Sequence, residues 1–257
     1  MVRAKKKWGQ HWLASQRLAD QLTQLVGVSP GDYAVEIGPG TGLLTGALLE
    51  HGANVIAIEV DPERAVQLRE DFAGRALTVV NDDVLEAALT WPEDPVHLVG
   101  NLPYNMSGPI LRWTAAHRDR ITSAHFMLQQ EVADRIAAPE GNRVYGALSV
   151  QIQWQFDVEI VKRLSPGAFR PPPKVRSAFL RLMPRRCPAP TATASRLVQD
   201  GFAQRRKTLC RALAGAGWER TMVESALAAV DARPDARAEA LSPAAWAEFA
   251  AYLDNAR

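Results

Sequence analysis

Four places in this 257-residue chain carry residues whose types and spacing suit chemistry. The first is Glu36-Ile-Gly-Pro-Gly-Thr-Gly42, which closes a strand-like apolar run. Glycines at 38, 40 and 42 let the backbone pass close to a ligand at the carboxyl end of that strand. The second is Glu59, at the end of the next strand-like run, where a carboxylate can accept both hydroxyls of a ribose. A tight turn would use the same glycines, and a dinucleotide would use the same carboxylate. The spacing separates the ligands. A dinucleotide fingerprint reads GxGxxG and seats a pyrophosphate on a helix N-terminus. Here it reads GxGxG with Glu36 beside it. That carboxylate would repel a pyrophosphate and suit the ammonium group of a methionine moiety, which favours S-adenosylmethionine. The third stretch is Asn81-Asp-Asp-Val-Leu85. Asp83 is the candidate to bond an adenine amine, with Asp82 as the alternative, and a plain helix N-cap accounts for the same residues.

A further motif, Asn101-Leu-Pro-Tyr-Asn105, follows the fourth strand-like run. In isolation Asn-x-Pro-Tyr is an ordinary turn. Beside a sulfonium methyl it has a use. The lone pair of an aromatic amine is delocalised into its ring, so the amine attacks poorly. The site must hold it in line at near-attack distance. Two acceptors on its N–H groups draw the nitrogen toward tetrahedral geometry and absorb the developing positive charge. The Asn101 side-chain oxygen and the carbonyl of Leu102 or Pro103 can supply them. Pro103 fixes the turn and donates no N–H. Tyr104 can stack on an extruded base.

The elements that must position these residues alternate. Strands are expected at Tyr33–Ile37, Asn54–Glu59, Ala76–Val80, Val96–Gly100 and Ala124–Leu128. A helix is expected over Gly42–Glu50, and another begins at Pro62 with Asp61 as its N-cap. This rhythm predicts an α/β fold with a mainly parallel sheet covered on both faces. Tyr145–Phe156 has helical spacing. Val158–Leu164 and Ser177–Met183 read as an antiparallel pair around a proline-rich bend. Pro184–Thr193 reads as a linker, followed by helices over Ala194–Ala214, Thr221–Val230 and Pro243–Asp254. The expected division is therefore a catalytic domain over 1–185 and a small helical domain over 186–257.

Composition is that of an ordinary globular chain, with 47% hydrophobic and 23% charged residues. No apolar run reaches membrane-span length, and no apolar segment follows the basic N-terminus as it would in a signal peptide. The two cysteines, Cys187 and Cys210, form no CxxC pair, and no metal site is expected. A cytoplasmic setting fits. The net charge of +2 hides segregation: residues 1–19 carry +5, residues 20–159 carry −12, residues 160–218 carry +12 and residues 219–257 carry −3. Basic clusters of this size are an electrostatic footprint for polyanions.

With NLPYN and EIGPGTG in place, the chain resembles the ribosomal RNA adenine N6,N6-dimethyltransferases of the KsgA group. The likeness runs nearly end to end. It includes Gly9-Gln-His-Trp-Leu13, Gln130-Glu-Val-Ala-Asp-Arg135, Tyr145-Gly-Ala-Leu-Ser-Val150, Phe169 to Ala178 and Gln204-Arg-Arg-Lys-Thr-Leu209. The resemblance implies a class I, Rossmann-like methyltransferase fold with a small all-helical C-terminal domain. It implies S-adenosylmethionine-dependent N6,N6-dimethylation of two adjacent adenosines in a hairpin near the 3′ end of small-subunit rRNA, within an assembling particle. The implied cofactor contacts are His11, Leu13, Gly38, Glu59, Asp83 and Asn101, joined by Glu36 and Gly40 from the loop. The implied catalytic group is Asn101, Leu102, Pro103 and Tyr104, with Phe169 as the second base-stacking aromatic. The family usually has Asn where this chain has His11, and Phe where it has Trp12. Trp12 is read as packing against the cofactor-side core.

The same resemblance gives the basic regions a purpose. Lys5, Lys6 and Lys7 form an N-terminal arm, Arg170 and Lys174 flank the proline-rich bend, and Arg205, Arg206, Lys207 and Arg211 sit at helical spacing. All are expected to contact RNA phosphates. A monomer is expected. The nearest rival is the Erm type, which dimethylates an adenosine of large-subunit rRNA. A mitochondrial transcription-factor branch and an NAD-dependent oxidoreductase stand further off, the latter opposed by the loop spacing and by NLPY.

Overall fold

The computed structural model describes residues 11–255. Lys5, Lys6 and Lys7 lie outside them. The described strands are β1 (Trp12–Leu13), β2 (Tyr33–Ile37), β3 (Asn54–Ile58), β4 (Leu77–Val80), β5 (Val96–Asn101), β6 (Ile121–Gln129), β7 (Phe156–Leu164), β8 (Phe169–Arg170) and β9 (Ser177–Pro184). Seven of these form a sheet in the order β4-β3-β2-β5-β6-β9-β7. Strands β2 to β6 pair in parallel, and β9 runs antiparallel to β6. The remaining two, β1 and β8, make a separate antiparallel ribbon with Leu13 opposite Phe169.

The helices are α1 (Gln16–Val26), α2 (Leu43–Glu50), α3 (Pro62–Asp71), α4 (Ser107–Ala116), α5 (Gln130–Ile136), α6 (Ala147–Gln155), α7 (Ala192–Ala203), α8 (Leu209–Gly215), α9 (Arg220–Ala229) and α10 (Pro243–Asn255). Their ends follow local chemistry. Ser15 caps α1 through its side chain, and Gly27 closes it in the left-handed conformation. Asp61 caps α3 ahead of Pro62. The apolar residues of β2, β3 and β5 pack with α1 and α2 around Leu22, Leu48, Val55 and Val99, all 2% exposed or less.

The chain forms two compact units. One comprises the described residues up to Ala133 together with Glu159–Pro184. The other comprises Asp134–Val158 together with the described residues from Arg185 onward. A single cut near residue 185 therefore does not describe the packing, because α6 packs with α7 and α10. In this second unit Trp246, Phe249, Tyr145 and Leu213 are fully buried.

The long helix expected over Ala194–Ala214 is two helices. The chain leaves helical geometry at Gln204 and re-enters at Thr208, which is extended. Just past the break the Arg205 guanidinium donates to the carbonyls of Arg143 and Tyr145 at 2.9 and 2.8 Å.

Near the start of β5 and β6 a polar chain crosses the core. The ring Nδ1 of His97 lies 2.8 Å from the Ser123 hydroxyl, which lies 3.3 Å from Nδ1 of His125. Burial pushes His125 down to about 3, reinforced by His97 and Arg181. Burial also lowers His97, against the pull of Asp32. The unfolded chain thus takes up protons below pH 6.5 that the folded chain refuses. Stability is expected to fall as the pH drops below about 6.5, by about 1.4 kcal/mol per pH unit for each histidine kept neutral. His125→Phe should flatten that slope in urea titrations between pH 6.5 and 4.5. An unchanged slope would mean that His125 protonates freely in the fold.

Candidate active site

Strand β2 lies between β3 and β5, so the connections from β2 and β5 leave on opposite sides and open a crevice at the carboxyl ends. The glycine loop (Gly38, Gly40), the end of β3 (Ile58, Glu59, Val60) and Asp82–Val84 line one part. His11, Trp12 and the Asn101–Met106 stretch line the other.

The loop needs its glycines. Gly38 and Gly40 have φ of +68° and +57°. A Cβ on Gly40 would fall 2.6 Å from the Trp12 ring, so Trp12 sits flush on the loop only because no side chain intervenes. Glu59 is 3% exposed. Its two carboxylate oxygens accept the N–H groups of Gly40 and Asp61 at 3.1 and 2.9 Å. Burial pushes the Glu59 carboxyl above its usual range. The two backbone donors pull it back, Asp61 adds to the rise and Arg64 opposes it. Asp83 and Asp82 both line the cleft, and one Asp83 oxygen accepts the Leu85 N–H at 3.0 Å.

Asn101 ends β5. Its side-chain NH2 donates to the His11 carbonyl. A carbonyl only accepts, so this contact settles which end of the amide is nitrogen. The side-chain oxygen has no hydrogen-bond partner among the described residues. The Pro103 carbonyl accepts the Met106 N–H at 2.9 Å, which leaves the Leu102 carbonyl as the freer second acceptor. Tyr104 opens a short 3-10 turn. Its hydroxyl lies 3.0 Å from that of Ser177, and its ring stacks on His11 at 5.6 Å and 25°. The His11 Nδ1 bonds the Pro171 carbonyl at 2.8 Å, so Nδ1 carries the proton.

The cleft therefore brings together His11, Gly38, Gly40, Glu59, Asp83, Asn101, Leu102, Pro103 and Tyr104. Four expectations are corrected. Glu36 does not line the cleft. It is 2% exposed and accepts the Thr45 hydroxyl at 2.6 Å, and burial pushes its carboxyl up to about 8, with Thr45 lowering it and Glu59 raising it. Leu13 and Phe169 are 8% and 2% exposed and pack into the core, because the β1–β8 ribbon faces them inward. Phe169 is not presented as a stacking surface. Arg205 is spent on its own unit through Arg143 and Tyr145. Arg170, Lys174, Arg206, Lys207 and Arg211 are exposed. The sequence reading gave Trp12 to the core, whereas the structure puts it on the cleft wall. Nothing in the sequence singled out Arg64, whose guanidinium lies 4.5 Å over the Trp12 ring.

The donor set fits one cofactor. Buried and half-buried carboxylates suit ribose hydroxyls and an adenine amine, Ile58, Val84 and Ile110 offer apolar faces to a purine, and the glycine loop offers close backbone approach without a pyrophosphate's cationic partners. This fold and site define a class I S-adenosylmethionine-dependent methyltransferase. Within that class the chain belongs to the ribosomal RNA adenine dimethylase family, whose model matches residues 1–255. It is 46% identical to "Ribosomal RNA small subunit methyltransferase A" of Xanthomonas oryzae pv. oryzae (strain PXO99A), across 96% of this chain and 95% of that protein. Among solved structures it resembles a dimethyladenosine transferase from Plasmodium falciparum, with a TM-score of 0.82, 24% identity and 95% and 98% of the two chains covered. It also resembles the 23S rRNA methyltransferase ErmE, with a TM-score of 0.71, 28% identity and 95% and 99% covered. It is an rRNA adenine dimethyltransferase. Among the described residues no helix is long and apolar enough to cross a membrane.

Tyr104 offers a direct check of base stacking. Tyr104→Ala is expected to lower kcat/KM for RNA about 30-fold, since stacking on one base contributes ~1–3 kcal/mol. Tyr104→Phe keeps the ring and loses only the Ser177 contact, so it should stay within about five-fold. Equal losses in the two variants would show that the hydroxyl, not the ring, is what matters.

Proposed function

We propose that the chain transfers methyl groups from S-adenosylmethionine to N6 of two adjacent adenosines in a hairpin near the 3′ end of small-subunit rRNA, in the cytoplasm, on an assembling small-subunit particle and as a monomer. The observation that carries this reading is the meeting, in one cleft, of a nucleoside-binding wall (Gly38, Gly40, Glu59, Asp83) with an amine-accepting corner (Asn101, Leu102, Tyr104). The 46% identity to a small-subunit methyltransferase supports the choice of particle.

The residues divide the work. Glu59 accepts from the cofactor's ribose and Asp83 from its adenine. Gly38 and Gly40 let the backbone close on it, and His11 contributes its backbone from the other part of the cleft. The cofactor, when bound, supplies an electrophilic methyl on a sulfonium. Asn101 offers its side-chain oxygen, and Leu102 its carbonyl, to the two N–H groups of the target amine. Pro103 holds that turn rigid and Tyr104 stacks on the extruded base. The bound cofactor would give up its methyl group to N6 and keep the C–S electron pair on sulfur, and the proton lost from N6 would pass to water. The acceptors hold the amine while its charge is positive and need not remove the proton beforehand. The monomethylated amine still has one N–H for Asn101, so a second transfer can follow. Exposed Arg170 and Lys174, and Arg206, Lys207 and Arg211 in the helical unit, neutralise backbone phosphates. The unit formed by the described residues up to Ala133 and Glu159–Pro184 is proposed as the catalytic body, with the other unit as an RNA-contacting appendage.

The particle is tested by offering undermethylated small subunits and undermethylated large-subunit rRNA in parallel, with the modified positions mapped by primer extension. Modification of adjacent small-subunit adenosines supports the reading. Modification of a single large-subunit adenosine would replace it with the Erm-type alternative.

A further inference from the structure

Arg64, the third residue of α3, is 5% exposed, and its Nη2 has no hydrogen-bond partner among the described residues. A guanidinium nitrogen taken out of water without an acceptor is costly, so something else must compensate. Two neighbours can. One is the Trp12 ring, with the guanidinium carbon 4.5 Å from its centroid, within cation–π range. The other is Glu59, whose carboxylate feels the Arg64 charge favourably. Trp12 in turn lines the cofactor cleft and rests on Gly40. The Gly40 N–H donates to Glu59. Contacts thus run from Arg64 through Trp12 and Gly40 to Glu59 on the ribose side of the cleft.

We propose that Arg64 is a positioning residue of the cofactor site, holding Trp12 down on the glycine loop and placing a positive charge behind the Glu59 carboxylate that accepts ribose hydroxyls. It reaches the cofactor through those two residues and does not line the cleft. The charge matters because burial and the Asp61 carboxylate both raise the Glu59 carboxyl, and Arg64 adds to the Gly40 and Asp61 N–H groups that oppose the rise. Asp83 adds a further carboxylate to the same cleft. A protonated Glu59 would present one acceptor fewer and bind a ribose diol poorly.

The inference rests on the S-adenosylmethionine reading only for its probe, S-adenosylhomocysteine, whose binding is followed by calorimetry from pH 6 to 9. Arg64→Leu keeps the bulk and removes the charge and the stack. It should weaken binding about ten-fold at pH 7, the combined size of one cation–π contact and one charge contact. The deficit should shrink as the pH rises, because without Arg64 the Glu59 carboxyl ionises only at higher pH. Arg64→Lys keeps the charge without the planar stack, so its deficit should be about three-fold and flat with pH. A purely structural role would give a flat deficit in both variants, and that result, or binding by Arg64→Leu within two-fold of wild type, overturns the proposal. Wild-type protein that fails to bind S-adenosylhomocysteine would instead count against the cofactor reading itself.

Discussion

Asn101→Ala is expected to bind S-adenosylhomocysteine within several-fold of wild type and to lose at least about a hundred-fold in turnover. Removing one preorganised hydrogen-bond partner from a developing charge costs about that much in other enzymes. The geometry gives the reason. The NH2 of Asn101 is committed to the His11 carbonyl, and its oxygen has no hydrogen-bond partner among the described residues. It therefore acts on the amine only while that amine is gaining charge, and its loss should appear in kcat more than in KM. Asn101→Asp keeps an acceptor but sets a carboxylate against the His11 carbonyl, and should recover little. Rate and cofactor affinity falling by the same factor in Asn101→Ala would make Asn101 a cofactor residue.

The second large effect belongs to Glu59 and has the opposite signature. Glu59→Ala removes both ribose acceptors and leaves the Gly40 and Asp61 N–H groups without their partner. Cofactor affinity should fall about a hundred-fold, as expected for two charge-assisted hydrogen bonds of ~1.5–3 kcal/mol each with partial replacement by water. At saturating cofactor the turnover should recover to within about ten-fold, because the amine corner is untouched. Glu59→Gln keeps one acceptor and should fall between the two. Calorimetry and steady-state kinetics at several cofactor concentrations separate these outcomes. A turnover that stays low at saturation would mean that Glu59 acts in the transfer step as well.

Periodicity and glycines made β2 to β6 legible, because a buried parallel strand reads as an unbroken apolar run and its ligand loop must lack side chains. Asp61 and Pro62 announced α3 by their capping chemistry. What stayed hidden depends on partners far along the chain. Leu13 and Phe169 are neighbours only through a two-residue ribbon joining β1 to β8, and no local pattern says that both face the core. Glu36 sits next to the ligand loop in sequence, yet its side chain turns to Thr45 on the following helix. Arg205 lies in a run that reads as helix, but the helix stops before it and its guanidinium goes to carbonyls about sixty residues earlier. Arg64 gave no signal at all, since a basic residue in the first turn of a helix is normally a solvated one. Only its burial under Trp12 sets it apart.

The central claim is that this cleft methylates the exocyclic amine of adenine, and the nucleoside product tests it most directly. Small subunits incubated with the enzyme and methyl-labelled S-adenosylmethionine would be digested to nucleosides and resolved by mass spectrometry. The account predicts label in N6,N6-dimethyladenosine, with N6-methyladenosine as its precursor, and loss of both with Asn101→Ala. Label on a ring nitrogen, on a ribose hydroxyl or on another base would contradict it.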